Sequence, residues 1–149
     1  MAYEKLLIFE SIWSDDDITD TREAKRIYAS LETLFSLHDE PIRIIQRPLL
    51  SSLYIKDIND FVSLAANQKG PNVIIMSAHG SHSLVGKGES NKHRRELTAF
   101  DGAINISKEI PQLSDRLHRT IFILDACDVG KNISSFCKAA GALGAIGFS

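Results

Sequence analysis

A thiol and an imidazole each follow a short apolar stretch in this chain of 149 residues. Cys127 comes shortly after residues 121–124, and His79 comes shortly after residues 73–76. A thiolate is a strong nucleophile, and an imidazole can take and return the proton that its reactions require. These two side chains together are what a cysteine hydrolase needs for acyl transfer. The sequence therefore favours covalent catalysis through sulfur.

Two further residues would shape such a site. Gly80 has no side chain, so its backbone N–H can approach a developing oxyanion closely, and the N–H of Cys127 is a natural second donor. Asp125 lies two residues before Cys127, and side chains at positions i and i+2 of a strand point to the same face. A carboxylate there attracts Lys or Arg and repels an acidic side chain. We therefore expect Asp125 to form the floor of a pocket for a basic residue.

Strands and helices alternate along the sequence, and this order places His79 and Cys127 at strand ends. Short apolar runs predict the strands, and amphipathic spacing predicts most of the helices between them. The predicted strands cover residues 6–9, 42–45, 73–78, 121–125 and 145–148. The predicted helices cover residues 20–38, 55–67, part of 107–117, and 133–143. This alternation predicts an α/β fold, a three-layer αβα sandwich around a mostly parallel sheet of about five strands. In such sheets the chemistry lies beyond the carboxyl ends of the strands, where Cys127 would also meet the amino end of a helix.

The segment between residues 80 and 102 is polar and interrupts this alternation. It predicts a loop or hairpin outside the hydrophobic core. Four basic residues in it are expected to be solvated: Lys87, Lys92, Arg94 and Arg95. Because an enzyme that prefers basic residues could cut such a segment, it is also a candidate site of self-cleavage.

The remaining Cys and His residues indicate no further chemistry. Cys137 falls at helical spacing with Ile133 and Phe136, which predicts a structural place in a buried helix face. His82 and His93 lie in the polar segment without a Cys or carboxylate ligand at a diagnostic spacing, so we predict no metal site there.

The composition is that of one ordinary globular domain spanning residues 1–149. The net charge of −2 provides no general attraction to nucleic acid or to anionic lipid. Two cysteines in a chain of this length indicate a reducing compartment rather than a disulfide framework. With no apolar run of membrane-spanning length and no signal-peptide pattern, the sequence predicts a cytoplasmic protein.

The two signatures, His79-Gly80 and Asp125-Ala126-Cys127, resemble those of the caspase-like (clan CD) cysteine peptidases, which include metacaspases, separases and CHAT domains. The order of elements along the whole chain is similar to the large-subunit-like portion of those enzymes, with their caspase- and flavodoxin-like sheet. The resemblance implies that His79 is the general acid and base and Cys127 the nucleophile. It also implies that the N–H groups of Gly80 and Cys127 bind the oxyanion.

The resemblance extends to specificity and cofactors. Family members with an acidic residue at the position of Asp125 cleave after Arg or Lys, whereas caspases proper have Gln there and prefer Asp. The covalent chemistry implies no metal or organic cofactor. Some metacaspases use calcium, and the acidic residues Asp15, Asp16 and Asp17 leave that question open, although a solvated loop is the simpler interpretation.

The sequence departs from the family pattern at its carboxyl end. Caspase-like domains normally continue beyond the fifth strand with a sixth strand and loops that wall the substrate groove, and this sequence stops at Ser149. An alternative function is therefore a catalytically weak or inactive caspase-like scaffold that needs a partner chain. A third is a non-proteolytic α/β signalling domain in which His79 and Cys127 point apart. Because the last strand would leave an edge unpaired, we expect it to pair with a second copy or a partner chain.

Overall fold

The computed structural model describes residues 3–11, 22–36, 42–66, 70–84 and 93–148. Five of its strands are β1 (Tyr3–Glu10), β2 (Ile42–Pro48), β3 (Asn72–Ser77), β7 (Thr120–Asp125) and β8 (Gly144–Gly147). They form one parallel sheet in the order β2-β1-β3-β7-β8, which confirms the predicted α/β fold and the parallel sheet. The main helices are α1 (Arg22–Ser36), α2 (Tyr54–Ala65) and α4 (Ile133–Ala140).

Helices pack against both faces of this sheet. Successive side chains of each strand point to opposite faces, so each strand contributes to two hydrophobic layers. One face forms the larger core, where buried strand residues pack with the inward face of α2 and with Phe136 of α4. The other face packs against α1 through Ile27, Tyr28 and Leu31. The strand residues of the larger core are Leu7, Phe9, Ile74, Met76, Phe122 and Leu124. These layers fit the predicted αβα sandwich.

The polar segment after His79 forms a second sheet. Strands β4 (Gly80–Leu84), β5 (His93–Ala99) and β6 (Gly102–Asn105) pair antiparallel in the order β4-β5-β6. The prediction that this segment lies outside the core is wrong, since Leu97 and Ala99 belong to the larger core. A strand needs apolar residues only at alternate positions to bury one face, so a polar sequence can still supply a core strand.

Two helix ends differ from their predicted positions. The region predicted as one helix is a short α3 (Ile106–Glu109) followed by a 3₁₀ helix (Ile110–Arg116). Pro111 lies at the start of the second piece, where its missing N–H ends the α-helical hydrogen bonding. Helix α4 ends at Ala140, before the predicted residue 143, because Gly141 adopts a left-handed conformation with φ of 64°.

Several predictions concern residues outside this description or stay untested. Asp15–Asp17, Lys87 and Lys92 lie outside the described residues. Strand β8 lies at one edge of the main sheet, and the predicted pairing along it stays a prediction. In the described part of the chain, no helix has the length and apolar character needed to cross a membrane.

Candidate functional site

The two segments that carry His79 and Cys127 leave the sheet side by side. Strands β3 and β7 are neighbours, and Ser77 lies opposite Asp125 in their parallel register. The N–H of Ala78 also donates to the carbonyl of Asp125 at 3.2 Å. His79 follows Ser77, and Cys127 follows Asp125, by two residues each. The structure thus confirms that both segments start from adjacent strand ends.

Gly80 packs directly on the segment that contains Cys127. A Cβ atom placed on Gly80 would lie 2.7 Å from the Cβ of Ala126 and 2.9 Å from the carbonyl oxygen of Cys127. Only glycine fits at such a distance. The sequence analysis explained this glycine by access to an oxyanion, and the structure adds a packing reason. Its role as an oxyanion donor stays a prediction.

His79 is half-buried at the junction of the two sheets. Its carbonyl accepts a hydrogen bond of 2.9 Å from the N–H of Thr98 in β5, so the small sheet fixes its backbone. The Nε2 atom of the ring is buried. The Nε2 side of the ring is therefore enclosed by the protein.

Asp125 is part of a row of polar residues across three strand ends. The hydroxyl of Ser77 donates to Oδ2 of Asp125 at 3.1 Å. Glu10 lies opposite Ser77 on the other side, in the register of β1 with β3. Because Leu6 and Ile8 of β1 face α1, alternation places Glu10 on that face as well.

Glu10 is not among the candidate site residues that the sequence predicts. The signal was available, since Glu10 follows the apolar residues 6–9 as Asp125 follows residues 121–124. What the sequence could not supply is the register, which aligns Glu10, Ser77 and Asp125 across the sheet.

Cys127 is an exposed, free thiol on a turn. Residues 128–132 separate it from Ile133, the first residue of α4. Among the described residues, Asp128 and Asn132 are the only non-glycine residues with a positive φ, at 62° and 51°. Helix α4 begins at Ile133 as predicted, so Cys127 stands six residues before it and not directly at its amino end. Because the field of a helix end falls off within one turn, it offers no argument for activating this sulfur.

Arg95 holds the turn that follows Cys127. Its side chain is only 1% exposed and donates to the carbonyl of Val129 at 2.9 Å. It also donates to the carbonyls of Lys131 at 2.6 Å and Asn132 at 2.8 Å. Burial lowers the pKa of Arg95.

The sequence predicts that both arginines of β5 are solvated and are candidate self-cleavage sites. For Arg95 this prediction is wrong, because a buried side chain in a paired strand is closed to a protease. Arg94 is exposed and pairs with Glu96 at 2.5 Å. The difference follows from strand alternation, which turns the two neighbours to opposite faces.

His82 and His93 contact each other, at 2.8 Å between Nε2 of His82 and Nδ1 of His93. The side-chain amide nitrogen of Asn132 lies 2.8 Å from Nε2 of His93. An amide N–H can only donate, so His93 accepts there and donates from Nδ1 to a neutral His82. Burial lowers the pKa of His82, and the positive charges of Arg95 and Lys131 lower it further.

We expect the stability of the fold to depend on His82 at acid pH. Its pKa in the folded chain lies below the usual 6.5, so the unfolded chain binds the proton more readily. The free energy of unfolding should therefore fall as the pH drops below 6.5. Urea unfolding between about pH 7.5 and pH 5.5 measures this slope.

One glutamine variant tests the assignment to His82, and a second glutamine variant is its matched control. His82→Gln should have a shallower pH slope than wild type, whereas His118→Gln, at an exposed position, should keep the wild-type slope. Equal slopes in all three proteins would contradict the assignment to His82.

The other sulfur and metal predictions concern residues away from Cys127. Cys137 is half-buried, and its thiol donates to the carbonyl of Ala142 at 3.5 Å. Among the described residues, no three His, Cys, Asp or Glu side chains are grouped in a way that could hold a metal ion. A calcium site at Asp15–Asp17 lies outside that part of the chain.

Comparisons with known proteins do not indicate a function for this chain. No family model matches the chain, and no curated protein matches it. Among solved structures it is similar to protein GSU0716 from Geobacter sulfurreducens, with 13% sequence identity and a TM-score of 0.48. The match covers 84% of this chain and 50% of that protein, so this chain spans half its length.

Proposed function

We propose that this chain is a caspase-like cysteine endopeptidase that cleaves peptide bonds after Arg or Lys. The observation that carries the proposal is the contact of Gly80 with Ala126 and Cys127. Together with the paired ends of β3 and β7, this contact fixes the backbone of the His-Gly segment against that of the cysteine segment. A dyad needs such a fixed relation, because acyl transfer requires both groups to act on one carbonyl.

In this proposal Cys127 attacks the scissile carbonyl carbon after its proton passes to His79. The electron pair of the C=O bond moves to oxygen, and the N–H groups of Gly80 and Cys127 donate to that oxyanion. Breakdown of the tetrahedral intermediate breaks the C–N bond, and His79 protonates the leaving amine. Water then attacks the thioester and gives its proton to His79. The C–S bond breaks, the carboxylic acid product leaves, and His79 returns the proton to the sulfur of Cys127.

The row of polar residues at the strand ends supports a basic specificity. Glu10 and Asp125 lie one strand on either side of Ser77, so their backbones are roughly 10 Å apart. Two carboxylates at this spacing attract an ammonium or guanidinium group and repel a carboxylate. The substrate class is therefore a peptide or protein with Arg or Lys before the cleaved bond.

An arginyl acyloxymethyl ketone tests this function, since it captures a nucleophilic thiol that recognises arginine. The thiolate displaces the acyloxy group as a carboxylate, so we expect the wild-type protein to gain the mass of one arginyl methyl ketone group at Cys127 and the Cys127→Ala variant to gain none. His79→Ala should be labelled about 100-fold more slowly, because general acid–base assistance contributes at least that much. An aspartyl ketone should react far more slowly than the arginyl one.

The second thiol provides the matched control. Cys137→Ala should be labelled like the wild type, because Cys137 bonds the carbonyl of Ala142 in the turn after α4. Iodoacetamide reports whether Cys127 is accessible at all. Alkylation of Cys127 by iodoacetamide without labelling by the arginyl ketone, with and without calcium, would reject the peptidase and favour the scaffold alternative.

A further inference from the structure

A cavity of about 560 Å³ opens between β5 and α4. Neither His79 nor Cys127 lines it, so it is separate from the proposed peptidase site. Its volume lies in the range of small-molecule pockets, roughly 300–1,000 Å³, and exceeds what one inorganic ion needs. Its walls include Arg95, Lys138, His93, Ser107, Ser134 and Phe136.

The described side chains that give this cavity a charge are all positive. Arg95 and Lys138 are cations, and none of the described residues that line the cavity is Asp or Glu. In the described part of the chain, the hydrogen-bond acceptors of Arg95 are three carbonyls and the hydroxyl of Ser107, with no carboxylate among them. A buried cation without a counter-charge is costly, so the cavity favours an anion.

The first turn of α4 adds to this preference. Its amino terminus has no side-chain cap, and Asn132, Ser134 and Ser135 from that end line the cavity. The positive end of the helix dipole and the hydroxyl of Ser134 are both suited to an oxyanion, whereas the hydroxyl of Ser135 donates to the carbonyl of Asn132 at 2.9 Å. Phe136 and Ala139 provide an apolar wall, which suits the organic part of a ligand.

We propose that this cavity binds a small organic molecule through an oxyanion group, either a phosphate monoester or a carboxylate. Arg95 supplies charge, because its own N–H groups are largely occupied by protein oxygens. Lys138 and Ser134 of α4 supply the hydrogen bonds, because the N–H groups of Ile133 and Ser135 already donate to carbonyls of the turn. The site is independent of whether Cys127 acts as a nucleophile.

Titration of the full chain, followed by calorimetry and by the melting temperature, tests this site. The probes are inorganic phosphate, glycerol 3-phosphate and citrate, with glycerol as the uncharged control. We expect saturable binding of glycerol 3-phosphate or citrate that is tighter than that of inorganic phosphate, and no response to glycerol. If glycerol 3-phosphate binds more tightly than citrate, the anionic group of the ligand is a phosphate ester. If citrate binds more tightly, that group is a carboxylate.

Three exposed positions allow variants that keep the fold. Lys138→Ala should weaken binding about tenfold, whereas Lys108→Ala, outside the cavity, should bind as the wild type does. Ser134→Asp places a carboxylate in the first turn of α4, where it favours the helix but repels an anion. Its melting temperature without ligand should equal or exceed that of the wild type, and its binding should be lost.

Two results would overturn the proposal. One is the absence of saturable binding for all three anions. The other is binding to Lys138→Ala and Ser134→Asp with the wild-type affinity, which would place the anion elsewhere on the molecule.

Discussion

Gly80→Ala is expected to lower the free energy of unfolding by about 3 kcal/mol. The new methyl group would lie within 3 Å of Ala126, of the carbonyl oxygen of Cys127 and of Val129. One of these contacts is with backbone, which cannot turn aside as a side chain can. The turn that carries Cys127 would therefore have to move away from β4, and any activity that depends on His79 and Cys127 should fall with it. Urea unfolding measures the loss of stability.

Gly144→Ala is the matched control, because it adds the same methyl group to a strand of the main sheet. The nearest atom to that methyl group is in Ile121, at 3.9 Å, an ordinary contact. We expect its stability to stay within about 1 kcal/mol of the wild type. If both variants unfold at the same urea concentration, the close packing of Gly80 on the cysteine segment is wrong.

Arg95→Met is expected to lower the free energy of unfolding by about 2 kcal/mol. Methionine has a similar length and is apolar, so it relieves the cost of burying a cation. Against this, the carbonyls of Val129 and Lys131 lose the donor that Arg95 provides, whereas the carbonyl of Asn132 still accepts from the N–H and the hydroxyl of Ser135. The loss outweighs the gain because Val129 is fully buried, so water cannot replace the guanidinium at its carbonyl.

Arg94→Met separates this anchoring role from a general effect of charge. Arg94 is the neighbour of Arg95 in β5, and its side chain is 47% exposed in its ion pair with Glu96. Exposed ion pairs contribute little, so we expect a change within about 0.5 kcal/mol. Equal destabilisation by the two variants would show that Arg95 acts through charge rather than through its hydrogen bonds to the turn.

The turn after Cys127 is also held by a backbone contact of Gly130. The N–H of Gly130 donates to the carbonyl of Phe148 at 2.7 Å. A Cβ atom on Gly130 would collide with the backbone of Gly147, so β8 and this turn are in close backbone contact. Gly80, Arg95 and β8 thus hold the turn from three directions. Under the proposed function, this would position Cys127 before a substrate arrives and lower the entropic cost of reaction.

Much of the fold could be predicted because its signals are local. The apolar run at residues 121–124 predicts β7, and the spacing of Ile58, Phe61 and Ala65 predicts α2. Strand β5 could not be predicted as a core strand. Its sequence, His-Arg-Arg-Glu-Leu-Thr-Ala, is mostly polar, and its buried face is completed by an arginine whose partners are distant in the chain.

The candidate site divides in the same way. His79, Gly80 and Cys127 stand out in the sequence because each follows an apolar strand, and the adjacency of β3 and β7 agrees with that interpretation. Their catalytic roles stay predictions. Glu10 also follows an apolar strand, but its alignment with Ser77 depends on the register, and the role of Arg95 depends on distant carbonyl acceptors.

The amino-acid order alone determined the five strands of the main sheet and the residues at their ends, since periodicity and chain breakers act over a few neighbouring residues. Only the tertiary structure decided that Glu10, Ser77 and Asp125 align and that Arg95 reaches the turn beyond Cys127. The physical reason is that strand order and side-chain burial depend on contacts between segments far apart in the chain, which no local pattern encodes.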